Sequence, residues 1–257
     1  MSEPGATLAV PAVARHEDVM GMPIDVELHD AVAARAVDGM FAWLRRVDAT
    51  FSTYRPDSEI SRIARGELAE ADASADVRRV LERCERLRAR TGGWFDARAG
   101  GALDPSGLVK GWAVQRAARL LELAGARNFC IYAGGDVIVR GRPAPGLRWR
   151  IGIQHPLLAD RLATVLESES LAVATSGEYA RGAHILDPHT GRPPSGVLSV
   201  TIAGPDLGTA DAYATAAFAM GADGPEWTRG IAPYEAMTVL ADEQVLVTPG
   251  FERLQVS

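Results

Sequence analysis

Several things are scarce in this sequence, and each scarcity excludes a class of protein. There are 2 cysteines in 257 residues, too few for a disulfide framework, and no C-x-x-C spacing of a metal or redox site. Whether Cys84 and Cys130 pair stays open at this level. No run of 18 apolar residues occurs, so no segment reads as a membrane-spanning helix. Basic residues are in the minority, 27 Lys and Arg against 33 Asp and Glu for a formal charge of -6. That argues against a nucleic-acid groove, which wants a basic excess or stripe. It leaves room for a phosphorylated ligand, which needs only a few donors and a metal. Neither the Walker loop G-x-x-x-x-G-K-[ST] nor the dinucleotide fingerprint G-x-G-x-x-G is present, so a nucleotide site here is of another kind. No two of the 5 histidines have zinc-like spacing with a third ligand. The start of the chain shows neither the basic segment and long apolar core of a secretory signal nor a cysteine to lipidate, and the expected location is the cytoplasm.

What is present is enough for a sizeable core. With 47% apolar residues, a chain of this length buries roughly three quarters of its extended surface. Residues 1–15 read as a flexible N-terminus and 16–257 as a single domain. Alternation in Pro23–Leu28 marks a half-buried strand. Apolar positions at three- and four-residue spacing, from Ala33 through Val47, predict a helix over 31–47. A short helical turn follows at 56–63, and a second amphipathic helix at 76–90 whose Arg and Glu residues read as a solvated face. A third helix is predicted over 110–123, closed by Gly125. Strands follow at 129–133, 136–140 and 148–153, and a short one at 172–174 before a Thr-Ser-Gly turn. The remainder predicts a strand from Val197, helices over 209–220 and 225–232, and a hairpin of 237–240 with 245–247. Helices and strands alternate without a regular βα rhythm, which favours an α+β fold over a doubly wound parallel sheet.

Polar residues suited to chemistry gather in loops beside glycines, a distribution that points to a polar cleft built from loops. Asp211 and Thr215 lie one turn apart at a helix start, hence on one face. Both are hard oxygen donors of the sort Mg2+ takes alongside water and phosphate. The same pair also reads as an Asp complementing the helix dipole and a Thr bonding its own backbone. Lys110 in a helix first turn opposes the dipole and makes better sense facing an anion. His184 precedes an Ile-Leu pair and the Asp187-Pro188 turn, within reach of solvent. Its imidazole suits a general base near neutrality, and Asp96 is the next candidate. Asp187 would orient that ring or only cap the turn.

Taken in order, eight segments resemble the motifs of one family. They are Met20-Gly21-Met22, Phe51-Ser52-Thr53-Tyr54 through Ser58-Glu59, Gly93-Trp94-Phe95-Asp96, and Asp104 to Gly111. Ala133-Gly134-Gly135-Asp136, Thr175-Ser176-Gly177, His184 to Gly191 and Ala210 to Thr215 complete the set, which runs over about residues 18–221. The resemblance is to the ApbE family of FAD:protein FMN transferases. It implies an α+β fold with mixed or antiparallel sheets flanked by helices, the ApbE-like (T-fold-like) architecture. It implies Mg2+-dependent transfer of FMN from FAD to a Ser or Thr hydroxyl of an acceptor protein, with release of AMP and with FAD as substrate. An Asp-x-x-[Ser/Thr]-Gly-Ala-type segment would mark such an acceptor. The alternatives are an FAD pyrophosphatase giving FMN and AMP, or a non-catalytic flavin-binding protein. Carried over residue by residue, the metal would be held by Asp211, Thr215 and the carbonyl of Gly107. FAD would contact Met20, Tyr54, Trp94, Phe95, Asp96, Asp104, Lys110 and Ile185, and His184 would take the acceptor's proton. The sequence departs from the family in two places: Met22 stands where a Thr is usual, and only seven residues separate Asp96 from Asp104.

Overall fold

The computed structural model describes residues 10–32, 34–177 and 185–256. Two antiparallel hairpins begin the large sheet, β1 (Val13–Val19) with β2 (Met22–Leu28) and, about a hundred residues later in the chain, β3 (Phe129–Ala133) with β4 (Asp136–Arg140). Their turns, Met20-Gly21 and Gly134-Gly135, have positive φ at both residues, the backbone that matches the right-handed twist of the flanking strands. β2 pairs with β3, which joins the hairpins. The sheet continues through β7 (Ser170–Gly177), β8 (Val197–Gly204), β9 (Glu235–Leu240) and β10 (Val245–Val247). Its order is β1-β2-β3-β4-β7-β8-β9-β10, and every pairing is antiparallel.

One face of this sheet is covered by helices. They are α1 (Ala34–Phe51), α2 (Glu59–Ala64), α3 (Ala75–Arg90), α4 (Ser106–Leu123), α5 (Leu207–Ala219) and α6 (Gly224–Thr228), while α7 (Pro249–Glu252) lies on the opposite side of the sheet. The main core lies between sheet and helices, where Ile24, Val26 and Ile131 meet Phe41, Leu108 and Ala214. Trp43 on α1 donates its indole N–H to the carbonyl of Ala113 on α4 (3.0 Å). α4 and α5 approach so closely that a Cβ at Gly111 would stand 2.5 Å from the carbonyl oxygen of Leu207. The other face of the sheet is covered by a separate hairpin, β5 (Trp149–Gln154) with β6 (Leu162–Ser168). A second core forms there from Trp149, Ile151, Ile153, Leu166, Val173, Val239 and Phe251 of α7. Among the described residues no helix is long and apolar enough to cross a membrane.

Several expectations shift. β1 begins at Val13, inside the stretch read as flexible, because its alternating pattern finds β2 as a partner. α1 runs on to Phe51; Ala33 lies outside the described residues. α4 starts four residues before Lys110, at Ser106, so Lys110 stands in its second turn and not its first. Asp104 accepts the Ser106 N–H (3.0 Å) and fixes that start. Thr175-Ser176-Gly177 is not a turn: it continues β7 in register with Ser199–Thr201 of β8. β6 had no counterpart in the sequence reading, and α6 ends at Thr228. Cys84 and Cys130 are both free thiols, each pushed up to about 12 by burial.

Candidate active site

The start of α4, the first turns of α5 and the end of β7 converge on one cavity, lined further by the 94–104 loop and residues 185–188. Its lining includes Trp94, Phe95, Asp96, Asp104, Gly107, Lys110, Ile185, Asp211 and Thr215. These come from four separate stretches of chain, brought together only by the fold.

Charge in this cavity is arranged around Lys110. Its ammonium lies 2.7 Å from Asp136 Oδ2 and 3.5 Å from Asp211 Oδ1. Asp136 is fully buried and Asp211 nearly so. The anion that the position of Lys110 called for is therefore supplied within the protein, by two carboxylates. Asp211 Oδ2 also accepts the backbone N–H of Gly111 (2.9 Å). Burial, reinforced by the charge of Asp136, raises the Asp211 carboxyl to about 7, against the opposing pull of Lys110 and the Gly111 N–H. With Asp211 ionised, two carboxylates face one ammonium in a buried place, an excess negative charge that a cation would offset.

The bland reading of Asp211 as a dipole partner at the helix start does not hold. Asp206 is the N-cap of α5, its side chain accepting the Thr209 N–H, and Asp211 sits a turn further in, facing α4. Thr215 follows on the same face. Its Oγ1 lies 3.3 Å from where a Cβ would stand at Gly107. Asp211, Thr215 and Gly107 therefore sit on facing stretches of α4 and α5, and offer a carboxylate, a hydroxyl and a peptide carbonyl. All three are oxygen donors, the chemistry of a hard divalent cation. Among the described residues no group of three or more His, Cys, Asp or Glu converges, so a cation held here would depend on such neutral oxygens.

The remaining expected residues fall into three groups. Phe95 is buried with its ring against the start of α4, 3.2 Å from the Cβ position of Gly107, so it walls the cavity from the core side. Trp94 is partly exposed and meets His189 edge to face, 4.5 Å between ring centres. Asp96 accepts from Arg88 Nε (3.1 Å) and the Arg98 N–H (2.8 Å), which fixes its carboxylate at the rim. Met20 and Tyr54 are not brought to the cavity lining. Met20 occupies the β1–β2 turn, packed against the main core, and Tyr54 is 96% exposed. The neighbouring Met22 does reach the site's edge, its sulfur 2.8 Å from the Cβ position of Gly134. His184 lies outside the described residues. Asp187 caps its own turn, accepting from the His189 N–H and Thr190 Oγ1 (2.8 Å each). Burial acts to raise that carboxyl, but these bonds outweigh it and hold it below its usual value.

Asp136 was absent from the site residues read in the sequence. The signal was there, a Gly-Gly turn ending in an acid, but an acid after glycines is also what any turn shows. Gly111 was missed as well, since its role is steric and appears only where two helices cross.

The comparisons follow the same stretches of chain. The family model for the ApbE family matches residues 20–103 and 97–238. The two matches meet at 97–103, inside the shortened loop between Asp96 and Asp104. A relative from Vibrio cholerae serotype O1, named FAD:protein FMN transferase, is 34% identical over 160 residues, 58% of this chain and 46% of its own length. One of the same name from Haemophilus influenzae is 26% identical over 258 residues, 75% of each chain. This chain thus spans about half of the first relative and three quarters of the second. Among solved structures, the flavin transferase ApbE from Vibrio cholerae superposes with a TM-score of 0.84 at 24% identity, covering 94% of this chain and 98% of that one. The ApbE protein from Thermotoga maritima gives 0.84 at 23% identity over 95% and 99%. The fold is theirs, and with the family model matched along most of its length, this chain belongs to the ApbE family.

Proposed function

We propose that this protein is an FAD:protein FMN transferase that uses Mg2+ and a Ser or Thr hydroxyl on an acceptor protein. The observation that carries the reading is the convergence of Asp211, Thr215, Gly107 and Lys110 on one cavity, with Asp136 buried behind Lys110 as its ion-pair partner. A pure flavin binder has no need of a buried acidic site with oxygen donors on two helices. The reaction forms a bond between the acceptor oxygen and the FMN phosphorus. The phosphoanhydride bond to AMP breaks, AMP leaves with its electrons, and the hydroxyl proton passes to a base.

Asp211, the Thr215 hydroxyl and the Gly107 carbonyl would hold Mg2+. Bound there, the ion would supply Lewis-acid polarisation of a phosphoryl oxygen and would offset charge on the leaving phosphate. Lys110 keeps both carboxylates in place and lowers the negative potential that a pyrophosphate would otherwise meet on entering. Trp94, Phe95 and Ile185 give the cavity its apolar surface for flavin or adenine rings, while Asp96 and Asp104 order the rim and the start of α4. Met20 and Tyr54 would join the flavin site only if FAD extends beyond the cavity along the surface. His184 is the group assigned to take the hydroxyl proton, on its chemistry and its place beside Ile185.

Incubation with FAD, Mg2+ and candidate acceptors, followed by intact mass of the acceptor, tests the reading. FMN on the acceptor and AMP in equal amount are expected. AMP with an unmodified acceptor would make the protein a pyrophosphatase, and neither product would make it a binder. His184→Ala should lose about 10²–10⁴ in rate while still binding FAD.

A further inference from the structure

The β5–β6 hairpin is closed on one side and open on the other. The outer edge of β6 is taken by the C-terminal segment: the Glu167 N–H donates to the Leu254 carbonyl (2.8 Å) and the Val256 N–H to that of Val165 (2.9 Å). β5 pairs only with β6, and among the described residues its other edge has no backbone partner. That edge lines a groove of about 290 Å³ whose facing wall is the outer side of the large sheet, with Tyr132, Val137 and Val173. The groove adjoins the reaction cavity. Thr175 lines both it and the reaction cavity, and the adjacent glycines of one turn divide between them, Gly135 in the groove and Gly134 in the cavity. Large apolar side chains stand exposed along it, Tyr132 at 40% and Leu162 at 57%.

We propose that the acceptor protein docks here, its hydroxyl-bearing segment lying extended along the free edge of β5 and running past Thr175 into the cavity. This rests on the transferase reading and names where that reaction's second substrate binds. An extended polypeptide is the occupant whose main chain satisfies unpaired strand groups, with alternate side chains entering the pockets beside them. Tyr132 and Leu162 suit apolar side chains on that segment. The adjoining position of the cavity at Thr175 sets the direction, since the acceptor hydroxyl must arrive at the phosphates while the rest of its chain stays outside.

The test uses the full chain with FAD and Mg2+, and as probe a small carrier protein ending in an Asp-Ala-Ala-Thr-Gly-Ala segment. FMN addition is followed by intact mass against carrier concentration, and FAD affinity by flavin fluorescence. Tyr132→Asp and Leu162→Asp, both at exposed positions, should each raise the KM for the carrier at least tenfold with kcat and FAD affinity unchanged. An unchanged KM in both variants, while the wild type modifies the carrier, overturns the docking surface and leaves the transferase reading standing. AMP release with an unmodified carrier in the wild type overturns that reading, and the docking surface with it. A dimer in solution that Leu162→Asp dissociates would assign the edge to a second copy of this chain and refute the proposal.

Discussion

Gly111→Ala tests how closely α4 and α5 must approach for the site to exist. A methyl group at this position would lie 2.5 Å from the Leu207 carbonyl oxygen, 2.8 Å from Asp211 Cβ and 3.0 Å from Gly208 Cα. Two of these are backbone atoms and the third is fixed to one, so none can rotate away. Ordinary contact begins at 3.4 Å, which requires the helices to part by about 1 Å. Overpacking of this kind costs about 1–3 kcal/mol. The parting also stretches the Gly111 N–H bond to the buried Asp211, about 1–3 kcal/mol more. Against this stands the helix preference of Ala over Gly, about 1 kcal/mol. The expected balance is a loss of about 1–5 kcal/mol in urea unfolding, with weakened FAD binding because Asp211 moves relative to Gly107. Gly39→Ala is the internal control: it lies in α1 with nothing within 4 Å of its Cβ position, and should stabilise by about 1 kcal/mol. If Gly111→Ala behaved like that control, the close crossing of α4 and α5 would be refuted.

Lys110→Ala removes the counter-charge of a carboxylate with no solvent exposure, and should cost about 3–5 kcal/mol in urea unfolding besides weakening FAD binding; a change in FAD affinity alone would show that the pair has no structural part. Asp211→Asn retains an acceptor for the Gly111 N–H but removes the charge, so AMP release should vanish at every Mg2+ concentration while the melting temperature changes little. Normal turnover at limiting Mg2+ would remove Asp211 from the metal site. Asp30 bridges to the chain before β3, accepting from the N–H groups of Arg127 and Asn128 and from the Asn128 side chain. Burial acts to raise its carboxyl, but these bonds outweigh that and lower it. Its stabilisation is therefore present above the unfolded-state value near 3.8 and lost as pH falls through the lower folded one. Asp30→Ala should cost about 1–3 kcal/mol at pH 7, and the gap from wild type should narrow in acid below about pH 4; a gap independent of pH would assign the effect to packing.

Local pattern was enough for most elements of this chain. Alternation in Pro23–Leu28 and the apolar stripes of α1 and α3 report directly which side is buried, because strand and helix periods differ. The Gly134-Gly135 pair at the β3–β4 turn announces itself as well, since its positive-φ backbone is open to few other residues. Motif order then pointed to Asp211, Thr215, Gly107 and Lys110, all of which reach one cavity. Other features depended on partners distant in the chain. Val13–Val19 is a strand because β2 lies beside it, and Thr175-Ser176-Gly177 extends β7 because β8 continues in register. Tyr54 belongs to a flavin motif, and its 96% exposure is set by the fold: its loop is held through the Ser52 and Thr53 carbonyls by Ser58 and Ser61, which leaves the ring outside. Asp136 and Gly111 carry the clearest lesson. A buried ion pair between residues 110 and 136, and a helix crossing that admits no Cβ, are properties of spacing in three dimensions. No one-dimensional pattern encodes a distance between segments a hundred residues apart, so the charge balance of the site was decided only when α4, α5 and β4 came together.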